Sequence, residues 1–205
     1  MQSNIGRKMV DVHILTLPGT RVEWLKECAL GLVNEPVNRY FCDGIEGDIG
    51  AARTAAFRCG DSEYVSFVDP DDKVIPGTFA KLVALLEESP DAVMAYSDER
   101  LVDKWDRIIC DGWSLRPDLF TSYDIRPHNI NGEYVHHLRV MRRDAVEKCL
   151  PLKTKRMPEP CLMYDLAKLG RFVHLPEVGY MWRIHGENTF FSYTEEEIEE
   201  CLSYR

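Results

Sequence analysis

The chain has 205 residues, enough for one large domain or two small ones with a substantial core. Hydrophobic residues make up 45% and charged residues 29%, ordinary values for a globular protein. A formal net charge of -9 argues against holding nucleic acid mainly by phosphate neutralisation, although a local basic patch remains compatible with it.

The seven cysteines (Cys28, Cys42, Cys59, Cys110, Cys149, Cys161, Cys201) show neither a C-x-x-C pair nor zinc-ligand spacing. Most lie in apolar surroundings and read as reduced core residues of an intracellular protein. The charged start leads straight into a strand rather than into a signal peptide. No apolar run approaches ~18 residues, so no membrane span is expected, and the location expected is cytoplasmic.

In chain order, residues 10–17 read as a largely buried strand closed by Pro18-Gly19. Thr20 is a candidate N-cap for a helix carrying Val22, Leu25, Ala29, Leu32 and Val33 at helical spacing. Residues 37–42 form a second strand and residues 51–57 an alanine-rich helix. Residues 64–68 form a third strand. A helix opened by Pro76-Gly77 runs to Ser89-Pro90, and residues 93–96 are a fourth strand. This alternation predicts an α/β fold with a doubly wound, mostly parallel sheet.

Residues 98–132 hold Trp105, Trp113, Phe120 and Tyr123 with turns near Pro117 and Pro127, and read as loops and short strands over a site. A strand over 133–142, a helix over 144–149 and a helix over 159–169 ended by Gly170 follow. Short strands at 172–175 and 180–184 come next. Thr194 with Glu197 opens an acidic amphipathic C-terminal helix through a capping box. With no repeat and no linker, one domain over 1–205 is expected.

The third strand ends in Asp69-Pro70-Asp71-Asp72, three carboxylates within four residues. A buried strand of a parallel sheet is apolar on both faces, so the acids fall at its carboxyl end, where open α/β sheets bind ligands. Converging carboxylates repel unless a cation joins them, such as a hydrated divalent metal carrying phosphates. The same four residues are also good turn chemistry.

Three blocks in order resemble family 2 glycosyltransferases of the GT-A fold. Gly47-Asp48-Ile49-Gly50-Ala51-Ala52-Arg53 followed by the strand and its acids resembles "G-x-x-x-A-R-N" before "F-L-D-x-D-D". The run from Glu159 through Gly170 to Pro176-Glu177 resembles "E-D-x-D-L-x-x-R-L-x-x-x-G-x-x-x-x-I-P-E". Tyr180-Met181-Trp182-Arg183-Ile184-His185-Gly186-Glu187-Asn188 resembles "Y-x-x-R-x-H-x-x-N". The likeness covers about residues 10–97, a nucleotide-sugar-binding half, and 133–190, within an acceptor and catalytic half.

By that resemblance, Asp71 would bind Mn²⁺ or Mg²⁺ bridging a donor diphosphate, with Asp69 nearer the ribose or sugar. Asp72 would cap or salt-bridge. Asp43 would contact the nucleobase or else cap the turn at Gly44, and Arg53 would contact the nucleotide or else be a solvated helix arginine. Thr16 falls in the first nucleotide-binding loop, where the family's "P-T-Y-N" is replaced by Leu15-Thr16-Leu17-Pro18 and its aromatic is missing.

Arg183 would reach the diphosphate and His185 the metal; both also fit an edge strand. Glu159 falls where inverting members place the catalytic base, with Glu in place of Asp and Pro158 in place of the preceding acid. A first-turn glutamate also favours the helix dipole. Of His136 and His137, only one can face the site.

The implied activity is transfer of a sugar, with inversion, from a UDP-sugar to an acceptor hydroxyl. The acceptor would be a glycan, a protein, a small molecule or a hydroxymethylated base of phage DNA. For the last, Lys104, Arg107, Arg116, Arg126, Arg139, Arg142 and Arg143 would supply a basic patch. A nucleotide-sugar-binding protein without catalysis is the alternative, motivated by the altered acid pair.

Overall fold

A computed structural model describes residues 10–111, 129–130, 133–135 and 137–203. Its centre is a mixed sheet of eight strands. In chain order these are β1 (Val10–Thr16), β2 (Val37–Asp43), β3 (Tyr64–Phe67), β4 (Lys73–Val74), β5 (Ala92–Asp103) and β6 (Ile108–Asp111); β9 (Arg139–Arg142) and β10 (Arg171–Ile184) complete it. A separate two-stranded piece pairs β7 (Asn129–Ile130) with β8 (Glu133–Tyr134).

The strand order is β2-β1-β3-β9-β5-β10-β4, with β6 paired to β5. The long ladders β1–β2 and β5–β10 are parallel, as is β1–β3, whereas β9 enters antiparallel between β3 and β5.

Helices cover both faces because each presents one apolar stripe to the sheet. α1 (Val22–Gly31) and α3 (Thr78–Glu88) seal one face, where Cys28, Phe79, Leu82 and Leu86 pack on Val10, Val12, Ile14 and Ala95. On the other face Phe57 of α2 (Ile49–Phe57), Val146 of α4 (Arg143–Cys149) and Leu162 and Leu166 of α5 (Pro158–Ala167) pack with Phe67, Met94 and Met141. α6 (Glu195–Ser203) packs on α5 through Cys201, Ile198 and Cys161.

Several boundaries differ from the sequence expectation, each for a visible reason. α2 begins at Ile49, two residues early, because the Asp48 carboxylate accepts from the Ala51 N–H at 2.8 Å. Thr20 does not cap α1; its hydroxyl accepts from the Leu17 N–H at 2.9 Å and shapes the preceding turn.

α3 follows Gly77 at φ 86°, which has no capping side chain. Glu35, far upstream and 7% exposed, does that work by accepting from the N–H groups of Gly77 and Phe79 at 2.5 and 3.3 Å. The capping box at Thr194 and Glu197 is present, with reciprocal bonds of 2.9 and 3.2 Å.

β5 extends seven residues beyond the expected strand because β10 pairs with it along its whole length. The two short strands expected at 172–175 and 180–184 are one strand, whose register shifts at Val178 absorb Pro176 and Glu177. The strand expected over 133–142 is divided between β8 and β9. Of the stretch 98–132, β5, β6 and β7 supply strands; Trp113, Pro117, Phe120, Tyr123 and Pro127 lie outside the described residues.

Candidate active site

A cleft of about 610 Å³ opens at the carboxyl ends of β1 and β3. Asp69, Asp71, Asp72, Arg53, Glu159, His137, His185, Trp24 and Tyr193 all line it. The tight Asp69–Asp72 turn is closed by the Asp72 N–H bonding to the Asp69 carbonyl at 3.1 Å. The three acids then diverge in role.

Asp72 is 1% exposed. Its carboxylate accepts from the Tyr180 hydroxyl at 2.8 Å and from the Arg183 N–H at 2.7 Å, so it pins the acidic turn to β10. Burial, followed by the charges of Asp71 and Asp69, holds its carboxyl well above the usual range.

Asp69 opens to the cleft floor yet is walled by protein. Burial first pushes its carboxyl up, to about 6, against the opposing pull of Arg53. Asp71 reaches His185, whose Nε2 lies 2.7 Å from its Oδ2. The Glu187 N–H lies 3.3 Å from the other ring nitrogen. The loop carrying His185 is itself braced: Asn188 accepts from the His185 N–H at 2.6 Å and donates to the Arg183 carbonyl at 2.8 Å.

Arg53, 4% exposed, is the hub of one side of the cleft. Its Nη2 stands 3.4 Å from Asp69 Oδ1 and 3.4 Å from Glu159 Oε1, with the guanidinium carbon 3.5 Å above the Phe67 ring. Glu159 sits in the first turn of α5, where the helix dipole favours a carboxylate. Gly50 makes this juxtaposition of α2 and α5 possible. Its N–H bonds the Lys155 carbonyl at 2.8 Å, and a Cβ there would stand 2.1 Å from the Thr154 carbonyl oxygen.

His137 faces the cleft, with Nε2 3.8 Å from Asp69 Oδ2 and its ring stacked on Tyr180 at 4.8 Å. His136 lies outside the described residues.

Three expected binding residues do not themselves line the cleft. Arg183 does not line the cleft: it is 2% exposed and its guanidinium pairs with Glu27 at 2.7 Å and Asp106 at 3.1 Å. Lys73 contacts the same two acids at 3.0 and 2.7 Å. Thr16 turns its hydroxyl to the Cys42 carbonyl at 3.4 Å, while its own carbonyl accepts from the Gly44 N–H at 2.7 Å. Asp43 is exposed at the end of β2, next to Gly44 and Ile45 on the cleft rim.

The expected basic patch is also dismantled in part. Arg142 donates to the Ala92 and Leu86 carbonyls, and Arg143 pairs with buried Asp11 at 2.6 Å. Arg139 is 3% exposed, and Arg116 and Arg126 lie outside the described residues.

Trp24 and Tyr193 were not legible beforehand. Trp24 lies in the first turn of α1, tilted against His185 at 4.6 Å and flanked by Arg21 at 4.5 Å. An aromatic in the first turn after β1 was its one sequence signal. Tyr193 comes from the C-terminal segment, and burial and then the charges of Glu159 and Asp69 push its phenol up.

Among the described residues no three His, Cys, Asp or Glu side chains converge as a metal cage. What converges is one carboxylate and one imidazole, Asp71 and His185, at an open cleft. That donor set fits a hard divalent cation that completes its shell with substrate phosphates and water.

The mixed sheet with acids at its parallel carboxyl edge is a GT-A architecture. The family model for glycosyl transferase family 2 matches residues 22–150, and the chain belongs to that family. An uncharacterised glycosyltransferase of Nostoc sp. is 28% identical over 149 residues, which cover 70% of this chain and 46% of that one. This chain thus spans about half the length of the curated relative it matches.

Among solved structures, S. aureus TarS 1-349 in complex with UDP-GlcNAc superposes with a TM-score of 0.66 at 13% identity, covering 94% of this chain and 64% of that one. Glucosyl-3-phosphoglycerate synthase of Mycobacterium tuberculosis, in complex with Mn²⁺, UDP-glucose and phosphoglyceric acid, gives 0.60 at 14% identity, covering 96% and 78%. The mannosyltransferase PcManGT of Pyrobaculum calidifontis, in complex with GDP-Man and Mn²⁺, gives 0.63 at 13% identity, covering 91% and 60%. Among the described residues no helix is long and apolar enough to cross a membrane.

Proposed function

We propose that this protein is a metal-dependent, inverting glycosyltransferase that takes a UDP-sugar as donor and works in the cytoplasm. The observation that carries the reading is the Arg53 bridge, which sets the donor-side carboxylate Asp69 and the candidate base Glu159 on one guanidinium, 3.4 Å from each.

Asp71 and His185 are the residues that would hold Mn²⁺ or Mg²⁺. When bound, the cation supplies Lewis-acid neutralisation of the charge that develops on the departing diphosphate. Asp69 orients the ribose or sugar, and Asp43 at the rim contacts the nucleobase. Arg53 orients Asp69 and Glu159 together. Thr16 shapes the rim through Gly44, and Arg183 supports the loop that presents His185.

Glu159 accepts the proton of the acceptor hydroxyl as the oxygen attacks the anomeric carbon, because a neutral hydroxyl is a poor nucleophile. One displacement without a covalent intermediate inverts that centre. The acceptor is a glycan, a protein or a small molecule; the burial of Arg139 and the internal engagement of Arg142 and Arg143 weigh against modified DNA.

The test pairs binding with transfer. Thermal stability is measured against a panel of nucleoside diphosphates and their sugars, with and without Mn²⁺, for the wild type, Asp71→Asn and Glu159→Gln. A shift that needs both a uridine nucleotide and the metal is expected, lost in Asp71→Asn and kept in Glu159→Gln. Transfer should fall about 10²–10⁴-fold in Glu159→Gln. Binding without transfer or hydrolysis by the wild type, across the donor panel, identifies a binding protein instead.

A further inference from the structure

Beside Arg53 the fold buries a second cation. Arg139, at the start of β9, is 3% exposed, and its guanidinium carbon lies 5.1 Å from the centroid of the same Phe67 ring on which Arg53 packs. Nη2 of Arg53 is engaged by Asp69 and Glu159. Its Nε and Nη1, and the Nε and Nη1 of Arg139, are buried without a hydrogen-bond partner among the described residues.

Burial pulls the Arg139 guanidinium below its ordinary range, with Glu159 the leading charge acting against that effect and Arg53 adding to it by repulsion. Two guanidiniums against one ring leave four buried nitrogens without a hydrogen-bond acceptor, while Glu159, Asp69 and the buried Glu99 act on Arg139 by charge.

The contacts of the cleft fall into two groups that meet at Asp69. Asp71, His185 and Trp24 form one, the candidate place of a metal-bound diphosphate. Arg53 and Glu159 form the other, beside the base, and Arg139 lies buried against the same Phe67 ring. The guanidinium fork matches the paired oxygens of a carboxylate or phosphate, and desolvation strengthens that pairing.

We infer that Arg53 and Arg139 form an oxyanion subsite next to Glu159. It takes a carboxylate or phosphate carried by the acceptor or by the transferred sugar, and is distinct from the place of the donor diphosphate. The assignment of these two sources rests on the proposed donor–acceptor reading of the cleft; the anion subsite itself does not.

The probe is inorganic phosphate, titrated calorimetrically into the free protein and into protein saturated with UDP and Mg²⁺. Saturable binding in both states is expected, weakened at least tenfold in Arg139→Met and partly restored in Arg139→Lys, with folding checked by circular dichroism. The source is then read by comparing UDP-glucuronic acid with UDP-glucose. Tighter uronate binding that is lost in Arg139→Met puts the anion on the sugar. Equal donor affinities, with phosphate still binding beside UDP-glucose, put it on the acceptor.

Phosphate that fails to bind the wild type, that is displaced by UDP, or that binds Arg139→Met unchanged overturns the subsite. If UDP does not bind at all, the donor reading fails, while Arg139-dependent phosphate binding to the free protein still supports the subsite.

Discussion

His185 and Asp71, 114 residues apart in the chain, meet with Nε2 and Oδ2 at 2.7 Å across the cleft. One sits after β10 and the other after β3, so the contact exists only because the sheet and the acidic turn are locked together. Asp72 makes that lock by accepting from Tyr180 and from the Arg183 backbone.

Removing either partner should therefore abolish metal-dependent nucleotide binding without unfolding the protein. Wild type at 100 times Kd gains roughly 2.7 kcal/mol from a ligand that binds only the folded state. Asp71→Asn and His185→Ala are expected to lose the part of the melting shift that requires Mn²⁺ while keeping a native circular dichroism spectrum. A full shift in His185→Ala would remove His185 from the metal's shell.

Arg183→Met separates a supporting role from direct phosphate contact. The substitution keeps the backbone N–H that holds Asp72 but deletes the ion pairs to Glu27 and Asp106. Stability should fall by about 1.5–3 kcal/mol, the range for hydrogen bonds to charged groups. Urea unfolding measures the loss, and calorimetry should find UDP affinity in the absence of metal unchanged. A large drop in that affinity would instead place the guanidinium on the phosphates.

Glu35→Ala tests capping across the chain. With the carboxylate gone, the N–H groups of Gly77 and Phe79 lose their acceptor, and Gly77 has no side chain to replace it. A lost cap costs ~1 kcal/mol, which corresponds to a melting-point drop of roughly 2–4 °C in a domain this size. Thermal unfolding of the metal-free protein reads it directly, and no change would show that α3 needs no cap.

Stability against pH should show two opposite slopes. The Asp69 carboxyl, raised in the folded state to about 6 chiefly by burial, contributes stability below its ordinary 3.8 that is lost as pH rises towards 6. Asp11 behaves in the reverse sense. Burial acts to raise its carboxyl, but hydrogen bonds from Ser62 and Asn38, together with Arg143, outweigh that and lower it. Its contribution is present above 3.8 and lost as pH falls through its lowered value. Melting curves of metal-free protein from strongly acid pH up to neutrality should show a shallower first slope in Asp69→Asn, with raised Asp72 supplying the remainder, and lose the second in Asp11→Asn.

The chemistry of the site was legible where it is local. Asp69, Asp71 and Asp72 stand in one turn after an apolar run, and Glu159 stands at a helix start, so strand and helix periodicity alone put them at element ends. Arg53 was legible as a residue of α2 but not as the link between Asp69 and Glu159. That role depends on Gly50 admitting the backbone of 154–155 against the helix. Arg183 was legible as a strand residue for a related reason, but its ion pairs were not: Glu27 and Asp106, shared with Lys73, come from distant parts of the chain.

By itself the sequence determined the alternation of strands and helices, the acidic turn and the helix-start glutamate, because apolar period and turn chemistry act over a few residues, while the family was legible only as a resemblance of three ordered motif blocks. Only the tertiary structure decided that Asp72 braces while Asp71 faces His185, that Trp24 and Tyr193 wall the cleft, and that Arg139 is buried beside Arg53. Those outcomes depend on which side chains compete for the same buried space and charge. That competition is settled by contacts between elements far apart in the chain.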